Sequence, residues 1–201
     1  MQQAEKKQRG RPASSSATSH EQILDAVQAI LTEKSVRDLT IEEVARRAGV
    51  GKPTIYKWWP SKFALVLDLF ERQKIPTVRA PMEATAEEVI RLQVATTIEF
   101  LNGFFGKVAR ELVAEAQSSP DLLREYQERY IMPRRAVSHE VIYKAITSGE
   151  FRRDTDPDIL IDMIYGPIYY RLLIRYKELD TAYGDTIVTH ALSTVKKEKH
   201  S

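Results

Sequence analysis

Residues 40–63 read TIEEVARRAGVGKPTIYKWWPSKF and contain the clearest pattern of helices and turns in the chain. Positions 41, 44, 45 and 48 in this stretch are apolar, which is the spacing of one face of an α-helix. Thr40 precedes that face and has the side chain of a helix N-cap, whereas Gly49 follows it, where a left-handed C-terminus favours glycine. The pattern therefore predicts a short helix over residues 41–48.

A second short helix is predicted after only two further residues. Pro53 would lie in its first turn, where the missing N–H costs nothing. Ile55 and Trp59 form the inner face, so Lys52, Thr54 and Lys57 should face outward. Two short helices joined by a glycine-containing turn, the second basic and exposed, predict a helix-turn-helix whose second helix can enter the DNA major groove.

Further helices are predicted on both sides of this motif. Ser19 has capping-box spacing before an apolar stripe at positions 23, 26, 27 and 30, and Ser61 caps a helix whose stripe lies at 63, 66, 67 and 70. Residues 1–18 are small, polar and basic, so we expect a flexible basic arm. Within that arm Arg9-Gly10-Arg11-Pro12 resembles an AT-hook core, in which Arg9 and Arg11 would lie in an A·T-rich minor groove.

Residues 40–63 resemble the DNA-binding segment of transcriptional regulators of the TetR/AcrR type. The chain shares the threonine cap, the Ala-x-x-Ala-Gly-Val segment, Thr-Ile-Tyr and the Ser-Lys pair of that family pattern. It departs from the pattern at Gly51, usually serine, and at Trp59, usually phenylalanine. The resemblance implies an all-α chain, with an N-terminal three-helix helix-turn-helix DNA-binding domain and a C-terminal helical ligand-binding and dimerisation domain.

The resemblance also implies which side chains meet DNA. Hydroxyl, indole N–H and ammonium groups suit phosphate oxygens, whereas lysine, proline and the threonine methyl group suit base edges. Arg46 and Arg47 are expected to contribute only a general electrostatic attraction to DNA. The expected phosphate contacts are Thr40, Tyr56, Trp58 and Lys62, and the expected base-reading residues are Lys52, Pro53, Thr54 and Lys57.

The charge of the chain is unevenly distributed along its 201 residues. The net charge is only +2, but residues 1–72 hold 12 Lys+Arg against 9 Asp+Glu, and residues 73–201 hold 18 against 19. A basic first part suits a nucleic-acid partner. We therefore predict a DNA-binding domain over 19–73, a linker over 74–82 and a helical effector-binding and dimerisation domain over 83–201.

Residues 83–201 read as helices throughout, with Pro133 expected to kink one of them. An effector pocket is expected to be lined by aromatic side chains with a few polar groups. A helix that is apolar around most of its girth must be covered on two sides, which predicts a dimer interface. The expected effector lining is Phe100, Phe104, Phe105, Tyr126, Tyr130 and Met132, with Thr96, Thr97, Asn102 or Gln117 as orienting polar groups, and the expected dimer face is Tyr165, Ile168, Tyr169, Leu172 and Leu173.

Composition and spacing argue against several classes of protein. The absence of cysteine excludes disulfide scaffolds, thiolate metal sites and cysteine nucleophiles. The four histidines lack metal-ligand spacing, and no glycine-rich phosphate loop occurs, so we predict no catalytic residue, no metal, no cofactor and no enzyme. The polar N-terminus and the lack of a run of about 20 apolar residues predict a cytoplasmic protein that meets no membrane.

Two functions remain open from the sequence. One is a dimeric repressor that binds a near-palindromic operator and is released by a small, apolar or aromatic ligand. The alternative is an architectural or effector-independent DNA-binding regulator that uses the Arg-Gly-Arg arm in the minor groove. Defined half-site spacing would favour the first, and a broad A·T preference would favour the second.

Overall fold

The structure is a computed structural model that describes residues 13–72 and 83–196. All regular elements within these ranges are helical, and the one pairing of β type there is an isolated antiparallel bridge between Phe151 and Lys196. The predicted all-α fold class is confirmed. In the same ranges, no helix combines the length and the apolar character that crossing a bilayer requires.

Ten α-helices and one π-helical turn make up the described part of the chain. In chain order they are α1 (Ala13–Glu33), α2 (Ile41–Ala48), α3 (Lys52–Tyr56), α4 (Lys62–Arg72), α5 (Ala86–Asn102), α6 (Phe104–Ala116), α7 (Pro120–Tyr126), the π turn (Gln127–Ile131), α8 (Met132–Ser148), α9 (Pro157–Ile174) and α10 (Thr181–Ser193).

The chain divides into two compact units, residues 1–69 and residues 70–201. The division falls within α4, and not in the predicted linker over 74–82, which lies outside the described residues. The first helix also differs from expectation, because α1 begins at Ala13 and not at Ser19. The part of the predicted arm from residue 13 onward is therefore helical, and Arg9 and Arg11 lie outside the described residues.

The first unit has the short helices that the sequence predicts. The Thr40 hydroxyl accepts a hydrogen bond from the Glu43 N–H at 3.3 Å, and Gly49 ends α2 with a φ of 64°, in the left-handed region. The Ser61 hydroxyl likewise accepts from the Ala64 N–H at 3.0 Å and caps α4. Helix α2 packs against α1 and α3. The core of this unit includes Ile23, Val27, Ile30, Val44, Ile55, Leu65 and Val66, all fully buried.

The second unit is organised around α5, which packs against α6, α8, α9 and α10. Its inner face carries Val94 and Ile98, and α10 approaches this face closely at Gly184. A Cβ atom on Gly184 would lie 2.5 Å from Cδ1 of Ile98. The absence of a side chain at that position therefore sets the distance between the two helices.

An irregular helical segment connects α7 to α8. Met132 donates its N–H to the carbonyl of Gln127, which is the wider π-helical spacing. Pro133 lies at the start of α8 and has no N–H to donate to the preceding turn. The irregularity predicted at Pro133 is thus a π turn over residues 127–131. Helix α9, in contrast, continues through its internal Pro167.

Candidate DNA-binding surface and effector cavity

Helix α3 has one buried face and one exposed face. Ile55 and Trp59 are 0% and 3% exposed, whereas Lys52, Pro53 and Lys57 are exposed. The predicted orientation is confirmed for the two buried residues and for Lys52 and Lys57. Tyr56 and Trp58 also remain exposed, at 52% and 41% respectively, and Thr54 is half-buried. We refer to the set Lys52, Pro53, Thr54, Tyr56, Lys57 and Trp58 as the α3 surface.

The two lysines of the α3 surface have different surroundings. Lys52 Nζ lies 2.8 Å from Oε1 of Glu42, and this hydrogen bond lowers the pKa of the Glu42 carboxyl group. Lys57 Nζ lies 5.6 Å from the centroid of the Trp58 ring, within the range of a cation–π contact. Because Lys52 and Glu42 are both well exposed, the pair can open when an anion approaches.

Two predicted phosphate donors lie at helix starts, and each also makes a contact within the protein. Lys62 Nζ donates to the backbone carbonyl of Arg37 at 2.9 Å, which fixes the ammonium group and leaves two of its three N–H donors. Thr40 accepts the bond from Glu43 that caps α2 and can still donate its own hydroxyl hydrogen. Both side chains can therefore bind a phosphate oxygen while keeping their internal bonds.

Arg47 has a structural role that the sequence did not indicate. Its guanidinium donates to both carboxylate oxygens of Glu33 on α1, at 2.8 and 2.6 Å, and to Glu43 at 3.0 Å. The hydrogen bond from Arg47 lowers the pKa of Glu33. Arg47 thus ties α1 to α2, whereas Arg46 is exposed and remains available for general electrostatics.

Behind the α3 surface, His20, Trp59 and Asp68 form a cluster against which Trp58 packs. The ring centroid of His20 lies 5.2 Å from that of Trp58 and 4.6 Å from that of Trp59. Trp59 Nε1 donates to Oδ2 of Asp68 at 2.7 Å, and His20 Nε2 lies 3.3 Å from the same oxygen. The bond to Asp68 explains why tryptophan suits position 59, since a buried indole N–H requires an acceptor.

The second unit contains a cavity of about 740 Å³ bordered by α5, the π turn, α8 and α9. Of the aromatic residues predicted to line an effector pocket, Tyr130 alone lines this cavity, and Thr97 is the one predicted polar group there. The full lining is Glu71, Gln93, Thr97, Arg129, Tyr130, Ile131, Pro133, Arg134, Arg135, Val137, Ser138, Ile161, Asp162, Tyr165, Gly166 and Tyr169.

The other predicted lining residues lie elsewhere in the second unit. Phe100 and Phe105 stack on each other with ring centroids 5.1 Å apart, and both also contact the ring of Phe70. Phe104 packs edge-on against Phe105. These rings therefore pack on one another and do not line the cavity. Of the remaining two predicted residues, Tyr126 is buried against Tyr130, and Met132 is exposed.

The predicted dimer face divides into three environments. Ile168 and Leu172 are buried within their own unit, and Tyr165 and Tyr169 line the cavity. Leu173 is exposed. The exposed apolar side chains of α9 instead fall at positions 159, 163, 170, 173 and 174, which lie on one side of the helix. We call this set, Ile159, Met163, Tyr170, Leu173 and Ile174, the α9 apolar face.

Two of the three arginines that line the cavity are bound to carboxylates. Arg129 Nη2 lies 2.7 Å from Oε2 of Glu71. Arg135 Nη2 lies 2.6 Å from Oδ1 of Asp158, and its Nη1 lies 2.5 Å from Oδ1 of Asp162. Arg134 differs, because its guanidinium stacks on an aromatic ring, with Cζ 3.5 Å from the centroid of Tyr130. The described residues contain no cluster of three or more metal-binding side chains.

Comparisons with known proteins cover both units. The profile of the family "Bacterial regulatory proteins, tetR family" matches residues 23–69, and that of "Tetracyclin repressor-like, C-terminal domain" matches residues 81–191. The chain is 35% identical over 188 residues to the uncharacterized HTH-type transcriptional regulator YdeS of Bacillus subtilis, an alignment that spans 94% of each protein.

Solved structures show the same fold. The TetR family transcription regulator SCO0332 aligns with a TM-score of 0.74 and 33% identity, over 89% of this chain and 99% of that one. FadR of Bacillus subtilis, crystallised with stearoyl-CoA, aligns with a TM-score of 0.67 and 22% identity, over 87% of this chain and 98% of FadR.

Proposed function

Because this chain belongs to the TetR family of bacterial transcriptional regulators, we propose that it is a dimeric repressor that releases its operator when a small molecule occupies the cavity. Regulators of this family are DNA-binding transcription factors and not enzymes. The α3 surface is the observation that carries the proposal. It presents exposed lysines and exposed aromatic side chains on a helix whose opposite face is buried.

The proposal assigns different tasks to different parts of this surface. Lys52, Pro53 and Thr54 form the first turn of α3 and would meet base edges in the major groove. Tyr56 and Trp58 follow and would donate to phosphates. Lys57 would add a contact beyond the first turn. Outside the α3 surface, Lys62 and Thr40 at the helix starts would donate to further phosphates. Lys52 would exchange Glu42 for DNA.

Dimerisation is proposed through the α9 apolar face. Five large apolar side chains on one side of a helix form a patch of the kind that marks a protein–protein interface. A two-fold axis through this patch would relate the α3 helices of the two subunits by symmetry. Two symmetry-related recognition helices suit a near-palindromic operator. Of the residues predicted from sequence for this interface, Leu173 alone belongs to the face proposed here.

A small-molecule effector is supported by the cavity of the second unit. Its volume of about 740 Å³ lies within the range of small-molecule pockets. The lining combines apolar side chains, such as Ile131, Val137 and Ile161, with a similar number of polar and charged ones. FadR, which has the same fold, was crystallised with stearoyl-CoA. Binding would shift the population toward a conformation whose α3 helices no longer match two successive major grooves.

The DNA-binding proposal can be tested with Lys62→Gln. We expect the variant to lose affinity similarly for all sequences, and to lower the magnitude of the salt slope by about one for each Lys62 that contacts a phosphate. Lys144→Gln is the control, because Lys144 is an exposed lysine of the second unit. An unchanged slope in Lys62→Gln would remove this residue from the phosphate contacts.

Footprinting of operator DNA tests the repressor mechanism itself. Two protected half-sites about one helical turn apart, lost on addition of a ligand, are expected. Protection of A·T-rich DNA without half-sites would instead support the architectural alternative. Both tryptophans lie in the first unit, and Trp58 is exposed, so operator binding should change the intrinsic fluorescence. An unchanged spectrum would contradict a contact between Trp58 and DNA.

The dimer interface is tested by Leu173→Glu with Tyr143→Glu as its matched control. Both residues are exposed and apolar, but only Leu173 belongs to the α9 apolar face. Sedimentation should give a monomer for Leu173→Glu at a concentration where the natural protein and Tyr143→Glu are dimers. A dimeric Leu173→Glu variant would place the interface elsewhere.

A further inference from the structure

Arg134 is the one arginine of the cavity lining that has no carboxylate partner among the described residues. Glu71 and Asp162 also line the cavity, but they are bound to Arg129 and Arg135 respectively. Arg134 forms no ion pair with any acidic residue in the described ranges. Burial raises the pKa of Tyr130 beside it, so the phenol is neutral and supplies no compensating charge. Arg129 also binds Glu125, and Arg135 also binds Asp158. Arg134 is therefore the lining cation that is left to bind an anionic ligand.

The geometry of Arg134 shows which of its donors remain. Nη1 donates to the backbone carbonyl of Tyr130 at 3.1 Å, and the ring of the same residue covers one face of the guanidinium. Nε is buried and has no hydrogen-bond partner among the described residues. The edge formed by Nε and Nη2 is a two-donor fork that matches the two oxygens of a carboxylate. A buried donor without a partner is costly, so a bound acceptor would remove a penalty.

On this basis we infer that the effector is a monocarboxylate with an apolar body, whose carboxylate is held edge-on by Arg134. This inference rests on the proposed effector cavity and specifies its ligand. One unpaired guanidinium matches one carboxylate, whereas a phosphate dianion would bring a second negative charge near the four carboxylates that bind Arg129 and Arg135. Tyr130 holds the guanidinium in place before the ligand arrives.

A second unpaired group lies in the same lining. The side-chain oxygen Oε1 of Gln93, on α5, is buried and accepts no hydrogen bond among the described residues. A ligand with a hydroxyl or N–H group in addition to its carboxylate would satisfy this acceptor. The apolar part of the lining would bury the body of the ligand, with Ile131, Val137 and Ile161 as the aliphatic contacts.

The experiment is calorimetric titration of the full chain with two sets of matched probes, below their micellar concentrations. One set is decanoate, 1-decanol and decyl phosphate, which share a flexible body. The other is biphenyl-4-carboxylate and biphenyl-4-methanol, which share a rigid one. We expect at least one carboxylate to bind about 10- to 100-fold more tightly than its alcohol, as for a charged, two-point hydrogen bond. Decyl phosphate should bind more weakly than decanoate.

Two variants identify the residue responsible. Arg134→Gln should abolish the preference for carboxylate over alcohol while leaving the affinity for alcohol within about twofold. Arg134→Lys keeps the charge without the fork and should retain only part of the preference. Arg135→Gln removes an equal charge from the same lining and should keep most of the preference for carboxylate over alcohol. The alcohol affinity of each variant also shows that its cavity is folded.

The outcomes separate this inference from the proposed function. Equal affinities for carboxylate and alcohol in the natural protein would overturn the monocarboxylate assignment and leave the effector cavity standing. Tighter binding of decyl phosphate than decanoate would also overturn it. An equal loss in Arg134→Gln and Arg135→Gln would show that net charge, and not the Arg134 fork, selects the ligand. If no probe binds at millimolar concentration, the effector cavity itself fails.

Discussion

Replacing Trp59 with phenylalanine should destabilise the first unit, although phenylalanine is the usual residue at this position in the family pattern. The indole N–H is donated to the carboxylate of Asp68 at 2.7 Å, and the Trp59 side chain is almost completely buried. Phenylalanine cannot make this bond. The variant therefore loses a charge-assisted hydrogen bond and also leaves part of the buried volume unfilled.

The size of the effect follows from these two losses. A hydrogen bond to a charged group contributes about 1.5–3 kcal/mol, but the Asp68 side chain is 28% exposed and water can replace part of the bond. We therefore assign the hydrogen bond a value just below this range, about 1–1.5 kcal/mol. The smaller ring adds about 1 kcal/mol, as other modest core truncations do. Trp59→Phe should thus lower the free energy of unfolding by about 2 kcal/mol.

A double-mutant cycle with Asp68→Ala isolates the hydrogen bond. In the Asp68→Ala background, Trp59→Phe should cost only the packing term, so the coupling energy should be about 1–1.5 kcal/mol. Urea unfolding followed by fluorescence suits the measurement, because the remaining Trp58 reports on the first unit alone. Circular dichroism would mix the two units, which need not unfold together.

Trp58→Phe is the control, because Trp58 is 41% exposed, has no hydrogen bond to Asp68 among the described contacts, and as phenylalanine keeps a ring to pack against His20. Its effect on stability should stay within about 0.5 kcal/mol, as is usual for a surface substitution. A coupling energy between Trp59 and Asp68 below about 0.5 kcal/mol would refute the reasoning, since the cycle would then have found no hydrogen bond of consequence.

Three further predictions concern single residues. Glu42→Gln should raise operator affinity at low salt, measured by fluorescence anisotropy, because Lys52 no longer has to leave a carboxylate. Gly184→Ala should destabilise the second unit by about 1–3 kcal/mol in thermal unfolding, since the new methyl group overpacks α5 and this exceeds the gain of about 1 kcal/mol in helix propensity. Glu87→Gln should make the free energy of unfolding fall less steeply as the pH is lowered. A hydrogen bond from Lys196 lowers the pKa of Glu87, so the stabilising contribution of this carboxylate is present above its ordinary pKa of 4.5 and is lost as the pH falls through the lowered value.

Each of these predictions has an outcome that contradicts it. An unchanged or weaker affinity of Glu42→Gln would mean that the pair with Lys52 does not compete with DNA. For Gly184→Ala, the double variant with Ile98→Val removes the atom that clashes and should recover part of the stability, and an absence of recovery would assign the loss to another cause. For Glu87→Gln, an acid profile identical to that of the natural protein would show that the ion pair does not survive in solution.

The short helices of the first unit could be predicted because their signals are local. Thr40, Gly49 and Ser61 cap or end helices through contacts within a few residues, and such contacts follow from the order of residues alone. The contact of His20 with the two tryptophans could not be predicted. It joins residues far apart in the sequence, and a single histidine in an amphipathic helix carries no signal of its partner.

The cavity was beyond sequence reasoning for a different reason. Helix α9 is apolar around most of its girth, so its periodicity could not show which side faces the core, the cavity or a partner. Tyr165 and Tyr169 were therefore predicted at a dimer face and lie at the cavity. Arg134 could not be distinguished from its charged neighbours Arg129 and Arg135, because only the fold shows which of them have carboxylate partners.

The π turn gives the wall of the cavity a property that most helical walls lack. A π turn holds one residue more than an α turn, and here it carries Tyr130 into the lining. Removal of one codon, for example that of the exposed Glu128, would restore an ordinary helical turn and allow the flanking helices to persist. It would also change the direction in which Arg129 and Tyr130 point. Ligand preference among related proteins can therefore diverge through the loss or gain of one residue in this turn, without any substitution among the residues that touch the ligand.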